Sequence, residues 1–197
     1  LDDRIKNMRF RPLGCFKLQR VMVSEYKIED YLGYLKRVEG YANKVGDKFF
    51  PYDSPEGGLK TIGYGYKLKT LEEQNTFEKT GLSEKEVEDL LWHEAQVSLL
   101  KAKNYCLSKN EKWTKVDDRL KYALADFCFN LGGLKKFPTT AKHLMKNNVE
   151  GAIEDDPGRP GFKQYERVFV DTEGKRQKLG RNKEFYNEFL KPYMEKA

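Results

Sequence analysis

The chain has 197 residues, 39% of them hydrophobic and 13% aromatic, enough to bury a core in one compact domain or two lobes that share one. Its net charge of +6, from 37 Lys+Arg against 31 Asp+Glu, favours an anionic polymer but does not choose between nucleic acid and cell wall. No apolar run reaches the roughly 18–20 residues that cross a bilayer, and three cysteines with two histidines, free of any Cys-x-x-Cys or Cys/His cluster, argue against a metal or thiol enzyme.

Residues 1–23 are basic and weakly patterned and read as an N-terminal arm or linker. They show no apolar stretch of the kind a signal peptide carries. Ser24 is the expected cap of a first helix, with Ile28, Tyr31, Leu32, Leu35 and Val38 spaced by three and four. That helix should stop at Glu39-Gly40, where Gly40 offers a left-handed cap. From Gly46 to Leu68 the glycine- and aromatic-rich sequence predicts a small β-hairpin or meander.

Thr70 is expected to cap a short helix ending near Gly81. Ser83 with Glu86 forms a capping box for a long helix through Val87, Leu91, Ala95 and Leu99. Tyr122 to Leu131 is apolar on most sides, predicting a buried helix that ends at Gly132-Gly133. Cys106 and Cys128 fall in helices as small buried residues. Shorter helices follow from Thr139 and Val149, Pro157 to Gly161 reads as a loop, Lys175 to Lys178 as a solvated turn, and Asn182 as the cap of the last helix. Strands confined to one region make this an α+β chain, mostly helical. A small β-hairpin lobe and a larger helical lobe are joined by a long helix, with a cleft between the lobes.

The carboxylates around the β unit are the candidates for chemistry. Negative charge is disfavoured at a helix C-terminus, so Glu39 suits a group that must hold a proton. Asp53, in a polar turn, suits one that stays charged, and Thr61 offers a hydroxyl nearby. One protonated and one ionised carboxyl across a cleft are the machinery of glycoside hydrolysis. His93 and His143 stand alone and read as structural. Tyr31, Tyr34, Tyr41, Phe49, Phe50 and Tyr52 read mainly as core, with Tyr52 and Tyr64 the candidates for stacking on sugar.

Glu39-Gly40-Tyr41, Tyr52-Asp53-Ser54, Gly57-Gly58 and Thr61-Ile62-Gly63-Tyr64-Gly65 resemble, in order, the active-site signature of the phage-type lysozymes, glycoside hydrolase family 24. Ala123 to Gly132 resembles the family's buried helix, Thr139-Thr140 its next helix start, and Leu179 to Glu184 its Arg-Arg-x-x-Glu segment. The resemblance spans residues 25–195 and identifies 24–197 as a lysozyme-like catalytic domain. It implies a muramidase that needs no metal or organic cofactor. The implied reaction is inverting hydrolysis of the β-1,4 bond between N-acetylmuramic acid and N-acetylglucosamine in peptidoglycan.

By the same resemblance Glu39 donates the proton, Asp53 orients water, Thr61 helps place it, and Arg181 reaches back to Glu39. Tyr64, Phe129, Asn130 and Thr140 line the sugar cleft. The loops on either side of Asp53 are longer than the family's, so Asp47 and Glu56 are rival second carboxylates. Asp53 is preferred because it alone keeps the Tyr-Asp-Ser context. Tyr66 stands where the family has histidine, and Gly180 replaces the first arginine of its pair.

The resemblance implies action on the host periplasm or cell wall, with no nucleic acid and no membrane insertion. Such an enzyme is either virion-associated or waits in the host cytoplasm for release through a holin. The basic arm and a start on Leu1 rather than Met fit a piece of a larger virion or tail protein slightly better. A non-catalytic wall-binding or structural virion module on the same fold is the alternative.

Overall fold

The structure is a computed structural model that describes residues 25–53, 57–154, 168–170, 176–178 and 181–195. The expected arm, Ser24, Cys15, Glu56 and the Pro157–Gly161 loop lie outside the described residues.

Helix α1 (Ile28–Glu39) is capped by Lys27, whose backbone N–H donates to Asp30 Oδ2 at 2.8 Å, so the cap is not Ser24. The helix buries Tyr31, Tyr34 and Leu35, a stripe at spacings of three and one that turns a single face inward. Strands β1 (Lys44–Val45), β2 (Lys48–Phe49) and β5 (Leu82–Ser83) form an antiparallel sheet in the order β1-β2-β5. Strands β3 (Thr61–Ile62) and β4 (Tyr66–Lys67) form a separate hairpin. The expected meander is therefore two small sheets, and β5 brings the first of them to the start of the long helix.

Helix α2 (Leu71–Thr80) has Thr70 as its cap, accepting from the Glu73 N–H at 3.0 Å, and ends at Gly81 with φ 60°. Helix α3 (Glu84–Ser108) opens on the Ser83–Glu86 capping box. It buries Val87, Leu91, Ala95, Ser98, Ala102 and Cys106, one stripe at steps of three and four that lies along α4 (Asp118–Leu131). In α4 every position from Ala123 to Cys128 is buried, as expected of a central helix, and it ends on left-handed Gly132. Asp126 is fully buried, and its carboxylate accepts from the Tyr34 hydroxyl at 3.3 Å. Helices α5 (Pro138–Met145) and α6 (Val149–Glu154) pack on one another.

Two features of the C-terminal third depart from expectation. Strands β6 (Val168–Val170) and β7 (Arg176–Lys178) pair antiparallel, so strands are not confined to one region and Arg176–Lys178 is not a turn. The Val-Phe-Val run was the signal, since β-branched and aromatic residues favour strands. The last helical segment begins at Arg181 as α7 (Arg181–Phe185), which puts Asn182 inside the helix rather than at its cap. It continues through a π-helical stretch, Tyr186–Leu190, into α8 (Lys191–Met194).

Phe189 of the π stretch is fully buried. Its ring lies 4.8 Å from Tyr34, 5.0 Å from Phe185, 5.8 Å from Tyr26 and 6.3 Å from Tyr31, centroid to centroid. Glu188 beside it accepts from the Tyr26 hydroxyl at 3.0 Å and from Arg37 at 2.6 Å. The first helix is thus fastened to the last.

Cys106 and Cys128 are free and buried. Burial pushes the Cys128 thiol up to about 11 and raises that of Cys106. At pH 8 a thiol near 11 is about 0.1% thiolate, the reactive form. A Cys15→Ser variant should therefore label with a disulfide reagent at pH 8 only as fast as it unfolds, and faster as the pH rises towards 11. Full labelling of the native protein within a minute at pH 8 would contradict this burial.

Candidate active site

Glu39 is the last residue of α1, half-buried. The chain leaves the helix through Gly40 at φ 62°, ψ −166°, a conformation almost confined to glycine. This differs from the left-handed helical cap expected there, though a glycine is required either way. The exit leaves the Glu39 carboxylate facing the β3–β4 hairpin, where a Cβ added at Gly65 would sit 3.8 Å from Glu39 Oε2.

The hairpin turn, Gly63-Tyr64-Gly65, has its own constraints. Gly63 has φ 59°, and a Cβ there would lie 2.7 Å from Val87 Cγ1, so the bare backbone packs directly on α3. Gly63→Ala combines left-handed strain with a clash, together about 2–4 kcal/mol. Urea denaturation should show a loss of that size, and a midpoint unchanged from the parent would refute the packing argument.

Tyr52 fixes the other side. Its backbone exchanges two 2.8 Å hydrogen bonds with Thr61. Its phenol donates to the Gly63 carbonyl at 3.5 Å and is hydrogen-bonded to the Gly65 backbone. Burial raises the Tyr52 phenol, and the negative charge of Glu39 raises it further, so the two side chains share one electrostatic environment. Asp53 follows immediately and is exposed, while Thr61 is buried at 7% exposure. The Lys60 ammonium is held protonated by its bond to Glu78 and, to a smaller extent, by the charge of Asp53. Glu39, Tyr52, Asp53, Thr61 and Gly65 are therefore gathered by one helix end, one bridge and one hairpin.

A cavity of about 260 Å³ opens beside Gly65, between the hairpin and the helices α3 and α4. Tyr64 and Phe129, both expected at the sugar cleft, line it. Asn130 is exposed on the last turn of α4. Thr140 is not brought to this cavity: it is 4% exposed, on the inward stripe of α5 with Leu144. Arg181 lies at the start of α7, with its side chain outside the described residues. Asp47 sits in the two-residue turn between β1 and β2, in a different sheet from Thr61.

Residues that the sequence did not single out also line the cavity, namely Lys67, Lys69 and Glu94. Glu94 follows Leu90 and Leu91 at helical spacing, which could have flagged it. Tyr66 carries the Lys69 ammonium over its ring, 5.1 Å from the centroid. Ion pairs from Lys36 to Glu88 and from Lys44 to Glu84, the latter at 3.2 Å, tie α1 and β1 to the first turns of α3. Among the described residues, no helix is long and apolar enough to cross a membrane.

A comparison with curated proteins finds no match. A profile of the phage lysozyme family matches residues 36–158, well over half of the chain. The match takes in Glu39, both small sheets, the long helix α3, and α4 to α6. A helix ending in Glu-Gly, a Thr-Ile-Gly-Tyr-Gly hairpin beside it and a buried central helix thus belong together, and the chain is a member of the phage lysozyme family, whose enzymes are muramidases that hydrolyse peptidoglycan.

Proposed function

We propose that this chain is an endo-acting, inverting muramidase that cuts the β-1,4 bond between N-acetylmuramic acid and N-acetylglucosamine, with Glu39 as acid and Asp53 as base. The observation that carries the reading is the placing of the Glu39 carboxylate against Gly65, a glycine that also lines the cavity together with Tyr64 and Phe129. Asp53 stands one residue beyond the bridge that joins Tyr52 to Thr61.

Glu39 gives its proton to the glycosidic oxygen as the bond to the anomeric carbon breaks. A water on the opposite face of the ring attacks that carbon and loses its proton to Asp53. Thr61 holds the water. Inversion needs room for that water, so the two carboxyl groups should stand roughly 6.5–9.5 Å apart. Asp53 is favoured over Asp47 because Thr61 is tied to residue 52, whereas residue 47 lies in the β1–β2 turn of the other sheet. Arg181 would orient Glu39 from the C-terminal side, and Asn130 would meet sugar at the exposed end of α4.

The test is the product. Digested peptidoglycan, reduced with borohydride and analysed by mass spectrometry, should carry muramitol at its new ends. Proton NMR in the first minutes should show the α-anomer. Glucosaminitol ends would refute the bond assignment, a β-anomer would refute inversion, and wall binding with no new reducing ends would favour a non-catalytic module.

A further inference from the structure

A second cavity, of about 580 Å³, lies on the helical lobe where the end of α3 meets the chain leaving α4. Its rim carries Lys101, Lys135 and Lys136, and its floor is Tyr105, Leu131 and Leu134. All three lysines are exposed. Among the described residues no carboxylate lines this cavity or pairs with any of the three. Three ammonium groups over an apolar floor call for a ligand with several negative charges and small apolar groups. The volume is that of a site for a small ligand, which runs from about 300 to 1,000 Å³.

The position relative to the first cavity narrows the choice. Cys128 and Leu131, three apart and on one face of α4, line the second cavity, whereas Phe129, turned about 100° away, lines the first. The last turn of α4 is therefore the wall between the two. A helix is about 10–12 Å across, and an extended peptide of four residues spans about 14 Å. A short peptide attached to a sugar at Phe129 can reach around that turn.

We propose that the Lys101–Lys135–Lys136 cavity is a subsite for the acidic stem peptide of peptidoglycan, its carboxylates meeting the lysines and its alanine methyl groups the apolar floor. The proposal rests on the peptidoglycan reading, but not on which carboxylates perform the cleavage. A polyol phosphate would satisfy the lysines and leave the floor uncovered, so the peptide is the better fit.

The experiment is NMR titration of the isotope-labelled protein with the free tetrapeptide L-Ala–γ-D-Glu–diaminopimelate–D-Ala, which has no glycosidic bond to cut. Shifts should cluster in residues 101–108 and 131–136. They should need several-fold more peptide in 500 mM than in 50 mM NaCl, and the Lys101→Gln/Lys135→Gln/Lys136→Gln variant should bind roughly tenfold more weakly. Because the salt dependence is read on the unaltered protein, it stands even if the variant folds poorly. Shifts confined to residues 64–69 and 129, equal affinity for the fully amidated peptide, or displacement by equimolar inorganic phosphate would each overturn the proposal. Since the probe carries no sugar, a Glu39→Gln protein that has lost hydrolysis should still bind it, which separates failure of this subsite from failure of the proposed mechanism.

Discussion

Hydrolysis of purified peptidoglycan by a Glu39→Gln variant is expected to fall about 10³-fold, within the 10²–10⁴ range of a lost general acid. Glutamine keeps the shape and the half-buried position at the end of α1 but has no proton to give. Stability should hold, because removing a negative charge from a helix C-terminus is neutral or favourable by about 0.3–1 kcal/mol. Activity and folding should therefore separate: circular dichroism and urea midpoint unchanged, reducing-end release nearly abolished. Asp53→Asn should show a loss of similar order, since the water would lack its base, and Asp47→Asn should not. A Glu39→Gln enzyme with half the parental rate would eliminate the proposed acid. Full activity in Asp53→Asn with loss in Asp47→Asn would move the base to the other sheet.

The second large effect is structural. Phe189→Ala should cost about 3–5 kcal/mol, because the ring is fully buried among Tyr26, Tyr31, Tyr34 and Phe185. Against a typical total of about 5–15 kcal/mol, that is a substantial share. It also removes the aromatic contact that seats α1. Urea unfolding should show the loss directly, and amide exchange in residues 28–39 should accelerate. A loss below about 1 kcal/mol would mean that the neighbouring rings close the space.

Signals that act within four residues were legible from sequence. Thr70 with Glu73, Ser83 with Glu86, and Gly132 after Leu131 each settle a helix end through bonds to the nearest turn. The central helix was legible too, since a segment apolar on all sides has nowhere to go but the interior. What escaped depends on packing between distant parts. Thr140 belongs to the core rather than the cleft because it shares a face with Leu144, and only tertiary contact decides where that face points. The first helix starts one residue after Lys27 rather than after Ser24, and the last starts before Asn182 rather than after it, since neither polar residue fixes its own backbone angle. Lys67, Lys69 and Glu94 converge on the cavity from a strand, the loop after it and a helix, a meeting that no local pattern encodes. Within the site, the Glu-Gly helix end and the glycines of the hairpin were legible because each answers a backbone constraint.

Glu188 holds Tyr26 and Arg37, across 162 and 151 positions of chain. One carboxylate late in the sequence thus braces both the entry to α1 and its last turn, two residues before Glu39. A chain cut before Tyr186 would keep the Glu-Gly helix end and the glycine hairpin, yet lose the clamp that steadies the helix carrying the proposed acid.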